Sequence, residues 1–345
     1  MRNLRSFHLS WIVLCALCAS AVAGTAGAQT NENLNAAKRI FPEAGPGVFA
    51  VRRGPANQYY VLVSRAILIF DATGKKIAQI PPAGQQKSGS PLLSYGVAMD
   101  VDSTGRIFVA DRGANALRII SPAGALEKSI PFSAPTGIVA LSGGEIAATS
   151  ASGSHLITIF DAQGRVLRDF GDPVDILDDP AQASINRFMN TGHLTTDATG
   201  NLYYSFDYIP EPTFRKYDRA GYASVDFSLD VIEVAPQSQA LRRELKREID
   251  RGSVPELQQR ITCFAVDPET QKIWMGLGDE LILLDPDGRE LAEYRVHTPD
   301  GGRLNPNSLL IEPNRLLITS DPLGVFEFPR PDKTSAPSTA APKQF

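Results

Sequence analysis

The segment DVDSTGRIFVAD, from Asp100 to Asp111, has several features of a calcium-binding loop. Acidic or hydroxyl residues occupy positions one, three, five and twelve, and glycine occupies position six. An EF-hand loop uses these positions for its oxygen ligands and its sharp turn. However, Phe108 at position nine offers no side-chain oxygen, and alternating apolar residues replace the two flanking helices. The pattern therefore favours a strand, a turn and a second strand over a calcium site.

Two histidines are the other residues that could carry out chemistry. His155 and His193 could transfer a proton or bind a metal, together with a nearby acid such as Asp207. They lie far apart in sequence, and His297 falls in another connection. No G-x-S-x-G, H-E-x-x-H or Walker A sequence occurs. We therefore name His155, His193 and Asp207 as candidate catalytic residues. We assign no metal site and no cofactor. If these residues did bind a metal, calcium or zinc would be the ion.

The first thirty residues have the three parts of a secretory signal peptide. Arg2 and Arg5 precede an apolar run over residues 9–23, and an A-x-A cleavage site follows at 26–28. The apolar run is short for a membrane span, although an uncleaved anchor is the alternative. We predict that residues 1–28 are removed and that the mature protein is secreted or periplasmic, without a membrane span.

Composition is that of a folded protein. The chain has 345 residues, of which 43% are hydrophobic and 21% charged. Loss of the signal peptide would change the formal charge from −4 to −6 and leave no basic patch, which excludes nucleic acid as a partner. It would also leave Cys263 as the single cysteine, so no internal disulfide is expected. We expect a monomer whose partner is a small molecule, a peptide or a protein.

A turn resembling D-x-x-G recurs along the chain and is followed each time by a more polar strand. Its glycines, at intervals of 50, 40, 57 and 67 residues, are Gly74, Gly124, Gly164, Gly221 and Gly288. Aspartate caps such turns, and glycine accepts their positive φ. A unit of about 40 residues with insertions is the period of a four-stranded propeller blade. The repeat predicts an all-β, six-bladed β-propeller of four-stranded antiparallel blades, with one short helical insertion.

The predicted propeller occupies residues 45–331. Its sixth blade has only three strands in this interval. The N-terminal segment 29–44 contains AAKRIFPEA, which could supply the fourth strand and cover an exposed edge. Residues 332–345 are rich in Pro, Ala, Ser and Thr and are predicted to be disordered.

One blade carries a family resemblance. The segment YGVAMDVDSTGRIFVADRGANALRIISPAGALEKSI resembles the NHL repeat of six-bladed β-propellers. At the recurrent positions of that repeat stand Gly96, Asp100, Gly105, Val109, Asp111 and Asn115. Leu117 and Arg118 depart from it, because the family more often has Arg followed by an aliphatic residue. The resemblance implies the fold over most of residues 45–330 and little about activity, because propellers include binding proteins, hydrolases and lyases.

Three long connections are predicted to lie on one face of the ring, at 81–94, 171–191 and 230–260. Long loops in compact domains tend to carry function. The third contains SQALRRELKREIDRG, whose apolar residues recur every four positions and predict a helix that begins at Ser238 and stops at Gly252. This helix could be a lid over the face or could pack on its rim.

The insertion-bearing face is predicted to hold the functional residues. Apart from the candidate catalytic residues His155, His193 and Asp207, the ligand-binding candidates are Arg65, Tyr95, Asp111, Arg112, Asn115, Tyr208, Glu211 and Asp321. Asp111, Asp207 and Asp321 each end a second strand and could either ring the central opening or cap turns. The expected function is binding of a ligand or protein partner on this face. The alternative is a metal-assisted, lactonase-like hydrolase or lyase, and a third possibility is an envelope scaffold.

Overall fold

The computed structural model describes residues 32–82, 91–177, 179–229, 235–253 and 255–334. The predicted signal peptide and residues 335–345 lie outside the described residues, as do residues 83–90 of the first insertion. Within the described ranges, no helix is both long and apolar enough to cross a membrane.

Two short strands precede the first blade, and the first three blades follow in order. The N-terminal strands are β1 (Glu32–Asn35) and β2 (Lys38–Ile40). Blade one contains β3 (Val48–Arg53), β4 (Tyr59–Val63), β5 (Ala66–Phe70) and β6 (Lys76–Ile80). Blade two contains β7 (Gly96–Val101), β8 (Ile107–Asp111), β9 (Ala116–Ile120) and β10 (Leu126–Pro131). Blade three contains β11 (Pro135–Ala140), β12 (Ile146–Ser150), β13 (Ile157–Phe160) and β14 (Val166–Phe170).

The second half of the chain adds three blades and three helices. Helix α1 (Ala183–Met189) precedes blade four, which contains β15 (Leu194–Thr196), β16 (Leu202–Phe206), β17 (Thr213–Tyr217) and β18 (Ala223–Ser228). Helix α2 (Ala235–Asp250) precedes blade five, which contains β19 (Cys263–Val266), β20 (Ile273–Leu277), β21 (Glu280–Leu284) and β22 (Glu290–His297). Blade six contains β23 (Ser308–Ile311), β24 (Arg315–Ser320) and β25 (Gly324–Pro329), and α3 (Pro331–Thr334) follows.

The six blades form a closed ring. Their innermost strands contact one another in the order β3, β7, β11, β15, β19, β23 and back to β3. β2 pairs antiparallel with β25 and is the fourth strand of blade six. The sequence analysis predicted that residues 36–44 would supply this strand. The prediction of an all-β, six-bladed propeller of four-stranded antiparallel blades is therefore confirmed. β1 adds a feature that was not predicted, because it pairs parallel with β22 as a fifth strand of blade five.

The hydrophobic core lies between the blades. Each of six clusters of buried residues joins two neighbouring blades, and the last one joins blade six to blade one. The second strands β8 and β16 are buried along their whole length, whereas the outer strands alternate between exposed and partly buried residues. The two faces of a second strand such as β8 thus pack on the two neighbouring blades, which explains its nearly continuous apolar sequence.

The turns use their aspartates and glycines for backbone geometry. Asp102 Oδ1 accepts hydrogen bonds from the backbone N–H of Thr104 and Arg106, and Gly105 has a φ of +86°. Asp100 pairs with Phe108 near this turn, whereas Asp111 ends the same hairpin at its other end. The segment that resembles a calcium loop is therefore a β-hairpin.

The helices correct three details of the prediction. Helix α2 begins at Ala235, and Ser238 is a buried residue inside it whose Oγ donates to the carbonyl of Pro210 at 2.8 Å. The helix ends at Asp250, and Gly252 follows with a φ of +72°. Helix α1 in the second insertion was not predicted. Residues 332–334, assigned to a disordered tail, belong to α3, where Asp332 forms an ion pair with the buried Arg330.

Closure of the ring predicts a large effect for Phe41, which follows β2. Its ring is 3% exposed and lies 5.3 Å from the ring of Tyr59 and 4.5 Å from that of Phe70. We expect Phe41→Ala to lower the free energy of unfolding by about 3–5 kcal/mol, because it leaves a cavity between blades six and one. Urea unfolding measures this change. The exposed Ile77→Ala is the control, and an equal effect of the two substitutions would contradict this packing role.

Candidate functional site

A cavity of about 320 Å³ lies on the axis of the propeller, and we call it the central funnel. Every blade contributes to its wall, from one to six in order through Arg52, Ala98, Gly137, His193, Thr262 and Ser308. Residues from the loops of the insertion-bearing face also line it, among them Arg112, Phe188, Tyr208 and Gln259. The funnel therefore opens on the face that the sequence predicted to be functional.

A second cavity of about 240 Å³ continues along the axis. It shares Arg52 and His193 with the central funnel and extends to Asp100. Arg52 and His193 thus stand between the two cavities.

Helix α2 lies beside the funnel and contributes none of the described residues that line it. It packs on the loop between β16 and β17, where Arg242 forms two hydrogen bonds of 2.6 and 2.5 Å with the Glu211 carboxylate. Burial would raise the pKa of Glu211, but this contact with Arg242 lowers it overall. Of the two roles predicted for the helix, packing on the rim agrees with these contacts.

His193 and Asp207 form a hydrogen-bonded pair in the funnel wall. His193 precedes β15 and Asp207 follows β16, so the antiparallel pairing brings both residues to one end of blade four. Nδ1 of His193 lies 2.7 Å from Oδ1 of Asp207, and the side chains are 29% and 12% exposed. Gln259 Nε2 donates to the other oxygen of Asp207 at 3.4 Å. No described residue forms a hydrogen bond with Nε2 of His193, and that nitrogen is therefore available to a ligand.

The Asp207 carboxylate controls the charge of the imidazole. Burial alone would lower the pKa of His193, but the carboxylate outweighs it and raises that pKa above the ordinary value of 6.5. Burial also raises the pKa of Asp207, an effect that the neighbouring histidine offsets only in part. His193 therefore keeps its proton to a higher pH than a free imidazole does.

A second ion pair stands at the waist between the two cavities. Arg52 Nε lies 3.8 Å from Oδ1 of Asp100, whose other oxygen accepts a hydrogen bond from the backbone N–H of Ala140 at 2.8 Å. Burial lowers the pKa of Arg52 and raises that of Asp100, and each charge opposes the shift of the other. Arg52 is a funnel residue that sequence reasoning missed, although a charged residue within the apolar strand VFAVRR was a signal for it.

Four of the predicted site residues line the funnel together: Arg112, His193, Asp207 and Tyr208. The phenol ring of Tyr208 packs on Phe188 of α1, with 4.8 Å between ring centroids. Burial raises the pKa of Tyr208, and the Arg112 guanidinium acts in the opposite direction. Arg112 and Tyr208 both line the funnel.

The other predicted residues lie outside the funnel wall. Tyr95 packs edge-on against Phe49 at the rim. Arg65 is exposed in the turn between β4 and β5. His155 is exposed, with Nδ1 3.8 Å from Asp172 Oδ1, and is not brought to His193. Glu211 forms an ion pair with Arg242 of helix α2.

Three predicted residues hold the backbone in place. The fully buried Asp111 accepts hydrogen bonds from the N–H groups of Ser94 at 3.0 Å and Tyr95 at 2.8 Å. Asn115 Oδ1 accepts from the N–H of Ala134, and Asp321 Oδ1 accepts from the N–H of Gly47. None of the three is among the described residues that line the funnel.

Metal and thiol chemistry have few candidates in the described part of the chain. No group of three or more His, Cys, Asp and Glu side chains there could hold a metal ion. Cys263 is buried, which raises the pKa of its thiol to about 12 and keeps it protonated. The His193–Asp207 pair is an acid–base group in the described part of the funnel wall.

A structural role for Asp111 predicts a loss of stability in Asp111→Ala. The substitution would leave buried N–H groups without an acceptor and Arg118, 3.4 Å away, without its carboxylate. We expect the free energy of unfolding to fall by about 3 kcal/mol. Urea unfolding measures it, with the exposed Asp287→Ala as the matched control. A stability equal to that of the control would show that Asp111 does not hold this loop.

The His193–Asp207 pair predicts a pH dependence of stability. The pKa of His193 is raised in the folded state, so its pairing with Asp207 contributes fully to the free energy of unfolding below pH 6.5. This contribution is lost as pH rises through the folded-state pKa of His193. In Asp207→Asn burial and the charge of Arg52 remain, and both lower the pKa of His193, so we expect it to fall below 6.5. NMR titration measures the pKa of His193 in the wild-type protein and in Asp207→Asn. The His193→Gln variant assigns the His193 signal. An unchanged pKa in Asp207→Asn would contradict the coupling.

The comparisons with known proteins concern the fold. No protein-family model and no curated protein matches the sequence. Among solved structures, the chain is similar to a virginiamycin B lyase from Staphylococcus aureus, at 14% identity and a TM-score of 0.52 over 83% of this chain and 85% of that one. A streptogramin B lyase structure has 13% identity and a TM-score of 0.52 over 83% and 84%. A catalytically inactive histidine-to-alanine variant of the Staphylococcus aureus lyase, with Quinupristin, has 14% identity and a TM-score of 0.52 over 84% and 86%. At these identities the similarity establishes a shared fold, and the NHL-repeat resemblance stays a prediction.

Proposed function

We propose that this chain is an enzyme that moves a proton on a small molecule held in the central funnel, with His193 as the general base. One observation carries the proposal: Asp207 holds Nδ1 of His193 at 2.7 Å, and the ring lines a cavity with its other nitrogen unoccupied by any described residue. A carboxylate at Nδ1 fixes the tautomer and orientation of an imidazole and stabilises its protonated form.

Two reaction classes use such a base. In a lyase, the imidazole removes a proton from carbon while a bond to a leaving group breaks, and in a hydrolase it removes a proton from an attacking water. Lyases that share this fold support the first class, although at 14% and 13% identity they support it only by analogy. Since the neutral imidazole is the base, activity should rise as pH increases through the pKa of His193.

A second candidate is binding without turnover. The funnel wall combines recognition groups, among them Arg112, Tyr208 and Gln259, with an aromatic surface. None of the hydroxyl groups in that wall has a hydrogen bond to His193 that would make it a nucleophile, as far as the described residues show. These features suit a receptor for a small molecule, and the predicted export to the periplasm or the exterior suits both candidates.

Paired histidine variants test the general base. Purified protein is incubated with a panel of lactones, esters and cyclic depsipeptides, including Quinupristin, and products are followed by mass spectrometry. We expect His193→Gln to lower turnover about 100-fold or more, because it removes the base. His155→Gln, which changes a histidine outside the funnel, should leave turnover within about two-fold.

The outcome separates the two candidate functions. Equal activity of His193→Gln and the wild-type protein would exclude His193 as the base. Binding of a panel compound without any turnover by the wild-type protein would favour the receptor.

A further inference from the structure

We infer that the central funnel selects small molecules that carry a carboxylate group, and that the guanidinium of Arg112 recognises this group. The inference rests on the proposed function only in taking the funnel as the substrate site. It names the chemical class of the substrate and the residue that selects it.

The charges of the funnel wall carry the argument. Its charged side chains are Arg52, Arg112, His193 and Asp207. Asp207 is occupied by His193 and Gln259, and Arg52 faces Asp100. No described residue offers the Arg112 side chain a carboxylate or another hydrogen-bond acceptor. Positive charge therefore exceeds negative charge in the wall, and Arg112 is the cation there that no described residue pairs.

The side chain of Arg112 and the loop that carries it suit recognition of an anion. A guanidinium presents parallel N–H donors that match the two oxygens of a carboxylate. Arg112 is exposed and can meet a ligand that enters from solvent, and Tyr208 and Phe188 form an aromatic surface in the same wall. The loop that carries Arg112 is held by the buried Asp111, so the cation is positioned before a ligand arrives.

The size and chemistry of the funnel narrow the substrate class further. A volume of about 320 Å³ suits a small molecule and not a folded protein. The aromatic pair favours an apolar or aromatic group beside the carboxylate. Gln259 Nε2 donates to Asp207 and to the carbonyl of Ile261, so its Oε1 can accept a hydrogen bond from the N–H of a polar linkage. An acylated amino acid combines these three features.

The test compares a charged probe with its neutral counterpart. Isothermal titration calorimetry measures the Kd of N-acetyl-phenylalanine and of N-acetyl-phenylalanine amide, which differ in the carboxylate. We expect the wild-type protein to bind the acid about ten-fold more tightly than the amide. The loss of one charge-assisted hydrogen bond weakens an affinity by about this factor.

Two arginine variants assign the effect to one side chain. Arg112→Ala should weaken binding of the acid about ten-fold and leave that of the amide unchanged. Arg65→Ala makes the same change in net charge outside the funnel and should leave both affinities unchanged. Equal affinity of the two probes, an affinity for the acid that survives Arg112→Ala, or no binding of either probe would each overturn the inference.

The readout is binding, and it is therefore independent of the proposed catalysis. Selectivity for the acid that depends on Arg112, without turnover of any panel compound, would support the inference and contradict the general base. Turnover that depends on His193, with equal affinity for the two probes, would support the general base and overturn the inference.

Discussion

Each blade of this propeller has two apolar faces that can be buried only against its neighbours, and the whole fold depends on this constraint. Six buried clusters fill the six gaps between blades, and the cluster between blades six and one includes Phe41, which directly follows β2. β2 also covers the outer edge of β25. If β2 were lost, that strand edge would be exposed.

Closure also creates the site. It brings the inner strands of six blades to one axis, where small residues such as Ala98 and Gly137 leave a cavity. Polar side chains that point into this space lose much of their hydration and need partners. Arg52 has Asp100, and His193 has Asp207. The same low-dielectric surroundings that require these pairs also make their charges effective toward a ligand.

The fold could be predicted to a large extent because its signals are local. The D-x-x-G-like turns recur in sequence, and in most of them an aspartate accepts from N–H groups two and four residues later, as Asp161 does. Ser121 replaces the aspartate in the turn that contains Gly124. Features with distant partners could not be predicted. Ser238 resembles a helix cap, yet its acceptor is the carbonyl of Pro210. β1 finds its partner in β22, more than 250 residues further along the chain.

The site shows most clearly what the sequence by itself determined and what it left to the tertiary structure. The sequence determined strands, turns and the face that bears the insertions, because hydrophobic alternation and turn chemistry act between near neighbours. It also placed Asp111, Asp207 and Asp321 at equivalent strand ends. Only the tertiary structure decided their roles. Asp111 accepts from the N–H group of Tyr95 in the connection before blade two, Asp321 accepts from Gly47 before blade one, and Asp207 meets a histidine. Which polar group faces the funnel depends on how six blades converge, and no local pattern encodes that geometry.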